Sequence, residues 1–309
     1  MRVLILGAGG IGGAFGVLLH EAGGDVTFKV RPERARRLRD GGLQLRSPRG
    51  DARIEPRLAA GDASDGRFDL AILSCKAYDL PDAIDAIAPA VDDDTCVLPL
   101  LNGLAHLDAL DARFGAARVL GGVAQISVAL DADGAIRQFH PFQRVIAGAR
   151  GGRADPPALR ELGALFASAN VDFVASRRIE QDMWEKFVFI ATLAGACCAM
   201  RAPVGTILQA DGGEHFILGL LRECEEIAAA HGHAPDADRL DAYRRQLAQH
   251  GSPLEASMLR DIERGNRTEG AHVLGDLLAR ARSAQLKTPL LEIANAHVQA
   301  YELRRAHVS

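Results

Sequence analysis

The sequence has 309 residues and a mass of 32.9 kDa, about twice the usual size of one domain, so we expect two domains. Hydrophobic residues make up 48% and charged residues 25%, which is typical of a globular chain and excludes disordered proteins and small disulfide scaffolds. The net charge of −4 offers no basic surface, so we expect no nucleic-acid partner. We also expect no membrane span, because the longest apolar run, residues 187–200, is shorter than the ~18 residues required.

In the first half of the chain, short runs rich in β-branched residues alternate with segments of helical period. The predicted strands cover residues 2–6, 26–30, 70–74, 95–100, 119–128, 144–147 and 171–174. The predicted helices cover residues 11–22, 81–90 and 157–169. This alternation is typical of a parallel sheet with helices on its faces. Residues 42–58 differ, since a central Pro48-Arg49-Gly50 predicts a small hairpin.

From residue 179 onward nearly every segment has helical period, and a proline or glycine interrupts the pattern at each break, for example at Pro203 and Pro253. The predicted fold class is therefore α/β, with an N-terminal Rossmann-type dinucleotide-binding domain and an all-α C-terminal domain. We place the first domain at residues 1–176 and the second at residues 177–309.

The cysteines indicate a reducing compartment. None of the five has the CxxC spacing of redox or zinc sites, and their odd number argues against a disulfide framework. We therefore expect free buried thiols and no metal site, and we expect the close pair His231 and His233 to follow a helix rather than bind a metal. Glycines crowd positions 7–16 and no small-residue cleavage site follows, so we expect a cytoplasmic enzyme.

A glycine-rich turn follows the first predicted strand and opens the first predicted helix. Its sequence is Gly7-Ala8-Gly9-Gly10-Ile11-Gly12, the GxGxxG spacing in the strand–turn–helix context of dinucleotide-binding sites. The first glycine permits the tight turn, the second lets the backbone approach a pyrophosphate, and the third allows close packing of helix and strand. We predict that Gly7, Ala8, Gly9, Gly10, Ile11 and Gly12 bind a nicotinamide dinucleotide.

The residue after the second predicted strand indicates which coenzyme is bound. NAD-specific sites usually place Asp or Glu there, about 20 residues after the glycines, to bind the ribose hydroxyls. This chain has Arg31, and a guanidinium group forms charge-assisted hydrogen bonds with a phosphate. We therefore predict NADPH; the alternative is that Arg31 is one more surface arginine. Residues 34–39 are expected to form a solvated helix face near the 2′-phosphate.

Lys76 and Asn102 follow the third and fourth strands of the predicted sheet. Ligands of open α/β sheets lie outside the carboxyl ends of the strands, so both residues are candidates for cofactor contacts. Lys76 is placed to face a phosphate, and Asn102 to bond both the nicotinamide ribose and the substrate. The alternatives are a solvated lysine and a turn asparagine before Gly103.

The second half of the chain carries further motifs. They are Met183-Trp184-Glu185-Lys186, Ser257-Met258-Leu259-Arg260-Asp261, Arg267-Thr268-Glu269 and Lys287-Thr288-Pro289. Together with the glycine-rich turn, Arg31, Lys76 and Leu101-Asn102-Gly103, they resemble the signature of the ketopantoate reductase (2-dehydropantoate 2-reductase) family. The resemblance spans the whole chain, and the combination of motifs is specific.

The resemblance implies NADPH-dependent reduction of a 2-oxo acid to a 2-hydroxy acid, a role in pantothenate biosynthesis and a homodimer. By this likeness Lys186 is the general acid, Asn102 contacts cofactor and substrate, Ser257 binds substrate, and Glu269 contacts the cofactor. Hydride addition to a 2-oxo acid leaves an alkoxide, which a nearby ammonium group can protonate. The alternative for Lys186 is an exposed helix lysine next to Glu185.

The chain departs from the family where the substrate is expected. The family usually has asparagines four and eight residues after the lysine, and this chain has Ile190 and Ala194. Both lie on the helix face of Lys186, so we expect them to line the substrate pocket and to make it more apolar. Glu269 is also followed by Gly270-Ala271, where the family typically has Ile-Asp.

These departures leave alternatives to ketopantoate reduction open. One is a reductase of the same fold that acts on a more apolar 2-oxo acid. Another is a non-catalytic protein that senses the dinucleotide, although such a protein has no need of Lys186 or Glu269. A third is a related dehydrogenase that acts on an imine or a hydroxy acid.

Overall fold

The computed structural model describes residues 1–59 and 67–308, which divide into two units. The first unit comprises the described residues of Met1–Leu101 and His106–Glu180. The second comprises those of Asn102–Ala105 and Gln181–Ser309. The domain limits 1–176 and 177–309 remain predictions, and the structure adds that the short loop Asn102–Ala105 groups with the C-terminal helices.

The first unit is an α/β structure, as predicted. Its strands are β1 (Arg2–Leu6), β2 (Asp25–Lys29), β3 (Leu43–Arg46), β4 (Ala52–Ile54), β5 (Arg57–Leu58), β6 (Leu70–Leu73), β7 (Cys96–Pro99), β8 (Gly121–Leu130), β9 (Ile136–Gly148) and β10 (Asp172–Ala175). Its helices are α1 (Gly10–Glu21), α2 (Pro32–Gly41), α3 (Leu80–Ile87), α4 (His106–Phe114) and α5 (Pro157–Ser168). Short 3₁₀ turns, Ala77–Asp79 and Ala88–Ala90, flank α3.

The central strand of the first sheet is β1, and the strand order is β5-β2-β1-β6-β7. Leu4 pairs with Thr27 of β2 on one side and with Ala71 of β6 on the other, and all neighbouring strands are parallel. Four consecutive residues of β1 are buried, as expected for a strand covered on both faces. The carboxyl ends of these strands meet at one edge, where ligands of such sheets bind. The Rossmann-type prediction is confirmed.

The sequence pattern does not predict that the first unit contains a second sheet. Its strand order is β10-β9-β3-β4, and β8 pairs with β9 along an antiparallel ladder from Gly121–Gly148 to Leu130–Ile136. The predicted strand at 144–147 is only the end of β9, which spans 13 residues. The middle of β9 is exposed and contains Pro141, so hydrophobic periodicity does not detect it. The hairpin predicted at 42–58 is confirmed in β3 and β4.

From residue 179 onward the described chain is all-helical, as predicted. The helices are α6 (Ile179–Met200), α7 (Val204–Ile207), α8 (Gly213–Ala230), α9 (Ala237–Leu247), α10 (Ser257–Glu263), α11 (Asp276–Ser283) and α12 (Pro289–Val308). A π-helical turn, Ala271–Gly275, precedes α11. Among the described residues, α6 alone is long and apolar enough to cross a membrane, but 72% of its most apolar window is buried, as in the core helix of a soluble protein.

All five cysteines are free thiols, as predicted, but only four of them are buried. Cys75 is half-buried and follows β6. Burial raises the pKa of Cys197 to about 11 and that of Cys198 to about 12. These two thiols of α6 therefore stay protonated and behave as small apolar core side chains.

Candidate active site

The glycine-rich turn joins β1 to α1 in the geometry that the sequence predicts. Gly7 has a φ of +92°, a left-handed conformation that favours glycine, and its N–H donates to the Lys29 carbonyl oxygen at 2.9 Å. Helix α1 begins at Gly10 without a side-chain cap, so the first-turn N–H groups of Gly10, Ile11 and Gly12 lack partners within the helix. Such N–H groups, together with the helix dipole, attract anions.

Two glycines of this turn differ in what surrounds them. A Cβ at Gly12 would clash with the Ser74 hydroxyl and lie 2.7 Å from the Gly7 carbonyl oxygen, so α1 reaches the sheet only because residue 12 has no side chain. A Cβ at Gly9 would meet nothing within 4 Å. The space next to Gly9 is open and suits a pyrophosphate held against the backbone. The turn therefore fits a dinucleotide.

Arg34 supports the same turn from α2. Its Nη2 donates to the carbonyl oxygens of Ala8 at 3.1 Å and of Gly134 at 2.9 Å, which ties the turn to the β8–β9 connection. Arg34 is half-buried, and burial lowers the pKa of its guanidinium. The expectation that residues 34–39 form a solvated face is therefore wrong at Arg34. Nothing in the sequence distinguishes this arginine from its neighbours, because its role depends on tertiary contacts.

Arg31 and Lys76 lie at the carboxyl edge of the parallel sheet. Arg31 precedes α2, and 68% of its side chain is exposed. Its Nη2 lies 2.7 Å from Oδ1 of Asp79, which ends the 3₁₀ turn after β6. Lys76 is half-buried and starts that turn, and its carbonyl oxygen accepts the Asp79 N–H at 2.9 Å. Arg31 therefore contacts the turn that Lys76 begins, through the carboxylate of Asp79. Asp79 was not among the residues predicted from the sequence.

Lys186 and Glu269 interact within the helical unit. Lys186 is half-buried on α6, and Glu269, shortly before the π-helical turn, is buried. Burial lowers the pKa of Lys186 from 10.5 to about 8, and the negative charge of Glu269 opposes that shift. At neutral pH Lys186 is therefore mostly an ammonium ion, but one that releases its proton more easily than an ordinary lysine. Such a group is suited to general acid catalysis.

The turn of α6 that carries this lysine is held by its neighbours. The Trp184 ring stacks against the rings of His231 and His233, with centroids 5.5 and 5.4 Å away. The buried Glu185 forms an ion pair with Arg239, whose Nε lies 3.2 Å from Oε2. His231 directly follows α8, as predicted. No group of three or more His, Cys, Asp or Glu side chains that could hold a metal ion occurs among the described residues.

Asn102, Lys186, Glu269 and His272 form a group that we call the charged cluster. His272 was not predicted from the sequence. His272 forms a hydrogen bond with the backbone of Asn102. Gly103 has a φ of +78° and allows a close approach, since a Cβ there would lie 3.0 Å from Cδ2 of His272. Burial lowers the pKa of His272, and the charge of Glu269 opposes this shift as it does at Lys186. The only sequence signal for His272 is its helical spacing of three residues from Glu269.

The remaining predicted substrate residues lie on α6 and α10. Ile190 is half-buried and Ala194 is buried, one and two turns beyond the lysine on the same helix. Ser257 is exposed in the first turn of α10. The N–H of Ala256, just before it, bonds to the Cys197 thiol, so the start of α10 lies beside α6 about three turns beyond the lysine.

Two family models match most of the chain. Residues 3–151 match the family described as ketopantoate reductase PanE/ApbA, and residues 178–302 match ketopantoate reductase PanE/ApbA C terminal. The chain belongs to the ketopantoate reductase family. This membership confirms the resemblance found in the sequence motifs, and it makes the protein an oxidoreductase of that family.

Individual relatives match nearly the whole chain. The uncharacterized oxidoreductase YkpB of Bacillus subtilis (strain 168) is 35% identical over 306 residues, which are 99% of this chain and 100% of YkpB. The crystal structure of 2-dehydropantoate 2-reductase from Geobacter metallireducens GS-15 has a TM-score of 0.88 and 28% identity, covering 97% of this chain and 99% of that one. The ternary structure of D-mandelate dehydrogenase with NADH and anilino(oxo)acetate shares the fold, with a TM-score of 0.89, 21% identity and coverage of 99% and 100%.

Proposed function

We propose that the protein catalyses the NADPH-dependent reduction of a 2-oxo acid to a 2-hydroxy acid, with Lys186 as the proton donor. Membership of the ketopantoate reductase family supports NAD(P)-dependent chemistry on a 2-oxo acid. The observation that carries the proposal is the position of Lys186, half-buried on α6 in a chain of this family, where burial lowers its pKa to about 8 and the charge of Glu269 opposes that shift. A protein that only sensed a dinucleotide would have no use for such a group.

Backbone and cationic groups would hold the coenzyme. The proposed contacts are the backbone of Gly7, Ala8, Gly9, Gly10, Ile11 and Gly12 at the pyrophosphate, Arg31 at the 2′-phosphate and Lys76 at a phosphate. Asn102 and Glu269 are the two further coenzyme contacts that we propose. When bound, NADPH supplies a hydride from its nicotinamide ring.

Lys186 would supply the proton that the reduction requires. Negative charge develops on the carbonyl oxygen of the substrate, and an ammonium group both stabilises that charge and protonates the oxygen. With a pKa of about 8, Lys186 is mostly protonated at pH 7. Glu269 favours this protonated state because its charge opposes the effect of burial.

The substrate that we favour carries an apolar side chain and is bound with the help of Ser257. A substrate hydroxyl that faced Ile190 and Ala194 would lose hydrogen bonds to water without replacement, at a cost of about 1–3 kcal/mol. An alkyl or aryl group in the same place would gain about 25 cal/mol for each Å² buried. Ketopantoate, which carries a hydroxyl, and a role in pantothenate biosynthesis are the alternative.

We also propose a cytoplasmic location and a homodimer. Five free cysteines support a reducing compartment, since secreted proteins usually pair their thiols. The homodimer follows from the family resemblance alone. Light scattering of the purified protein tests the dimer directly, and a mass of one chain at micromolar concentration would exclude it.

Loss of absorbance at 340 nm with NADPH and a panel of 2-oxo acids tests the proposed activity. The panel should pair ketopantoate with 2-oxo acids that carry alkyl or aryl side chains of similar size. Turnover supports the reductase, and a higher kcat/KM for the apolar members supports the substrate assignment. NADPH binding without turnover of any member would instead indicate a dinucleotide sensor. Assays in the reverse direction, with hydroxy acids and amines, would reveal the related dehydrogenase.

A further inference from the structure

Two opposite charges meet at the carboxyl edge of the parallel sheet. Arg31 follows β2 and Asp79 ends the turn after β6, and these two strands flank β1 in the parallel sheet. Nη2 of Arg31 lies 2.7 Å from Oδ1 of Asp79. The hydrogen bond to Asp79, and then its charge, raise the pKa of Arg31. The residue predicted to recognise a 2′-phosphate therefore has a carboxylate partner of its own.

The two partners differ in how firmly they are held. The side chain of Asp79 is 28% exposed, whereas that of Arg31 is 68% exposed. The backbone of Asp79 is fixed at the N-terminus of α3, where its N–H donates to the Lys76 carbonyl oxygen at 2.9 Å. The long arginine side chain can turn toward a ligand, while the short carboxylate stays in place. Any phosphate that Arg31 binds will therefore lie near Asp79.

A carboxylate at this position has opposite effects on the two nicotinamide coenzymes. It repels the 2′-phosphate of NADPH and so offsets part of the attraction that Arg31 provides. It can accept hydrogen bonds from the ribose hydroxyls of NADH, which is the task of the acid at the end of the second strand in NAD-specific sites. Here Arg31 occupies the end of the second strand, and the acid comes from the turn after β6 instead.

We propose that Asp79 is a specificity-determining residue that limits the preference for NADPH and enables the enzyme to use NADH as well. Arg31 favours NADPH, Asp79 favours NADH, and the pair sets the ratio of the two dissociation constants. This inference rests on the proposed function, because it requires a dinucleotide at the turn Gly7–Gly12. It deepens that proposal by assigning the choice between the two coenzymes to a charge pair.

Titrations of the wild type, Asp79→Asn and Asp85→Asn with NADPH and with NADH, in the absence of substrate, test the proposal. Coenzyme fluorescence reports binding. Asn removes the charge of Asp79 but keeps the shape of its side chain, which forms no capping hydrogen bond with α3. In Asp79→Asn the Kd of NADPH should fall about three- to tenfold, and the Kd of NADH should rise by a similar factor. Asp85 is exposed on α3, so Asp85→Asn removes the same charge from the same helix and should leave both constants within about twofold.

The double variant Arg31→Gln/Asp79→Asn separates a direct role of Asp79 from one that acts only through Arg31. If Asp79 contacts the ribose directly, Asp79→Asn will weaken NADH binding in the Arg31→Gln background too, whereas a residue that merely positions Arg31 would have no effect there. A rise of the NADPH Kd in Asp79→Asn, or an unchanged ratio of the two constants, would overturn the assignment. If the wild type binds neither coenzyme, the proposed function fails and this inference fails with it.

Discussion

The glycine-rich turn and the charged cluster of the helical unit are built in different ways. The turn Gly7–Gly12 is one continuous segment, and the groups it offers to a ligand are backbone N–H groups that glycine leaves accessible. The cluster combines Asn102, Lys186, Glu269 and His272 from distant parts of the chain. Its chemical property, a lysine of lowered pKa, arises from burial, and the charge of Glu269 opposes that shift.

This difference separates two kinds of function. A backbone site depends on conformation, so its variants should change coenzyme binding or stability and leave the chemical step intact. A tuned side chain depends on its surroundings, so Lys186→Ala should change the chemical step and leave coenzyme binding intact.

Lys186→Ala should give the largest effect. Because a proton donor acts in the transition state, kcat should fall by about 10²–10⁴-fold while the NADPH dissociation constant changes little. Steady-state kinetics at saturating NADPH and a fluorescence titration measure the two quantities. Lys287→Ala, at an exposed position before α12, is the matched control and should keep full activity. Near-normal turnover of Lys186→Ala would falsify the assignment.

Arg31→Gln should reduce the preference for NADPH over NADH by roughly 10–150-fold, since it removes a charge-assisted bond to the phosphate. The change should appear in KM for NADPH and not in kcat at saturating coenzyme. Arg36→Gln, on the exposed side of α2, removes the same charge nearby and should leave the preference unaltered. Equal discrimination by the wild type and Arg31→Gln would mean that another group recognises the phosphate.

Gly12→Ala should lower the stability of the protein, whereas Gly9→Ala should weaken coenzyme binding. Gly12→Ala forces a methyl group onto Ser74, so we expect a loss of about 1–3 kcal/mol of unfolding free energy and a melting temperature several degrees lower. Gly9→Ala meets no protein atom and should keep the melting temperature while weakening NADPH binding. Calorimetry and coenzyme titration distinguish the two. A destabilised Gly9→Ala with normal NADPH affinity would contradict the account of the turn.

The double change Ile190→Asn with Ala194→Asn should have the smallest effect. It supplies amide groups to a substrate hydroxyl, so the ratio of kcat/KM should shift toward ketopantoate by about five- to tenfold. Because Ala194 is buried, the melting temperature must be measured as well, and Ile190→Asn alone is the milder test. If the wild type already strongly prefers ketopantoate and neither variant moves the ratio, other groups hold the hydroxyl.

Sequence patterns predict those elements of this protein that form from residues close together in the chain. The glycine spacing predicts the turn between β1 and α1, and helical period predicts the all-helical second half, because each pattern arises within a few residues. Only the end of strand β9 is predicted, because its exposed middle lacks alternation and contains Pro141.

The missed site residues have a common cause. Arg34 looks like a surface arginine until its bonds to Ala8 and Gly134 are known. Asp79 contacts Arg31, and His272 contacts the backbone of Asn102; both partners are far away in sequence. Such pairings depend on tertiary structure, so neither composition nor spacing in one sequence can supply them.

The pH dependence of kcat/KM in the wild type and Glu269→Gln tests the central claim, that Lys186 donates the proton and that Glu269 tunes it. The donor must carry its proton, so kcat/KM at saturating NADPH should be level at neutral pH and fall about tenfold per unit above a pKa of about 8. Removing the charge of Glu269, which raises the pKa of Lys186, should move this fall to lower pH. A wild-type profile that stays level to pH 10, or a fall that Glu269→Gln leaves in place, would contradict the account.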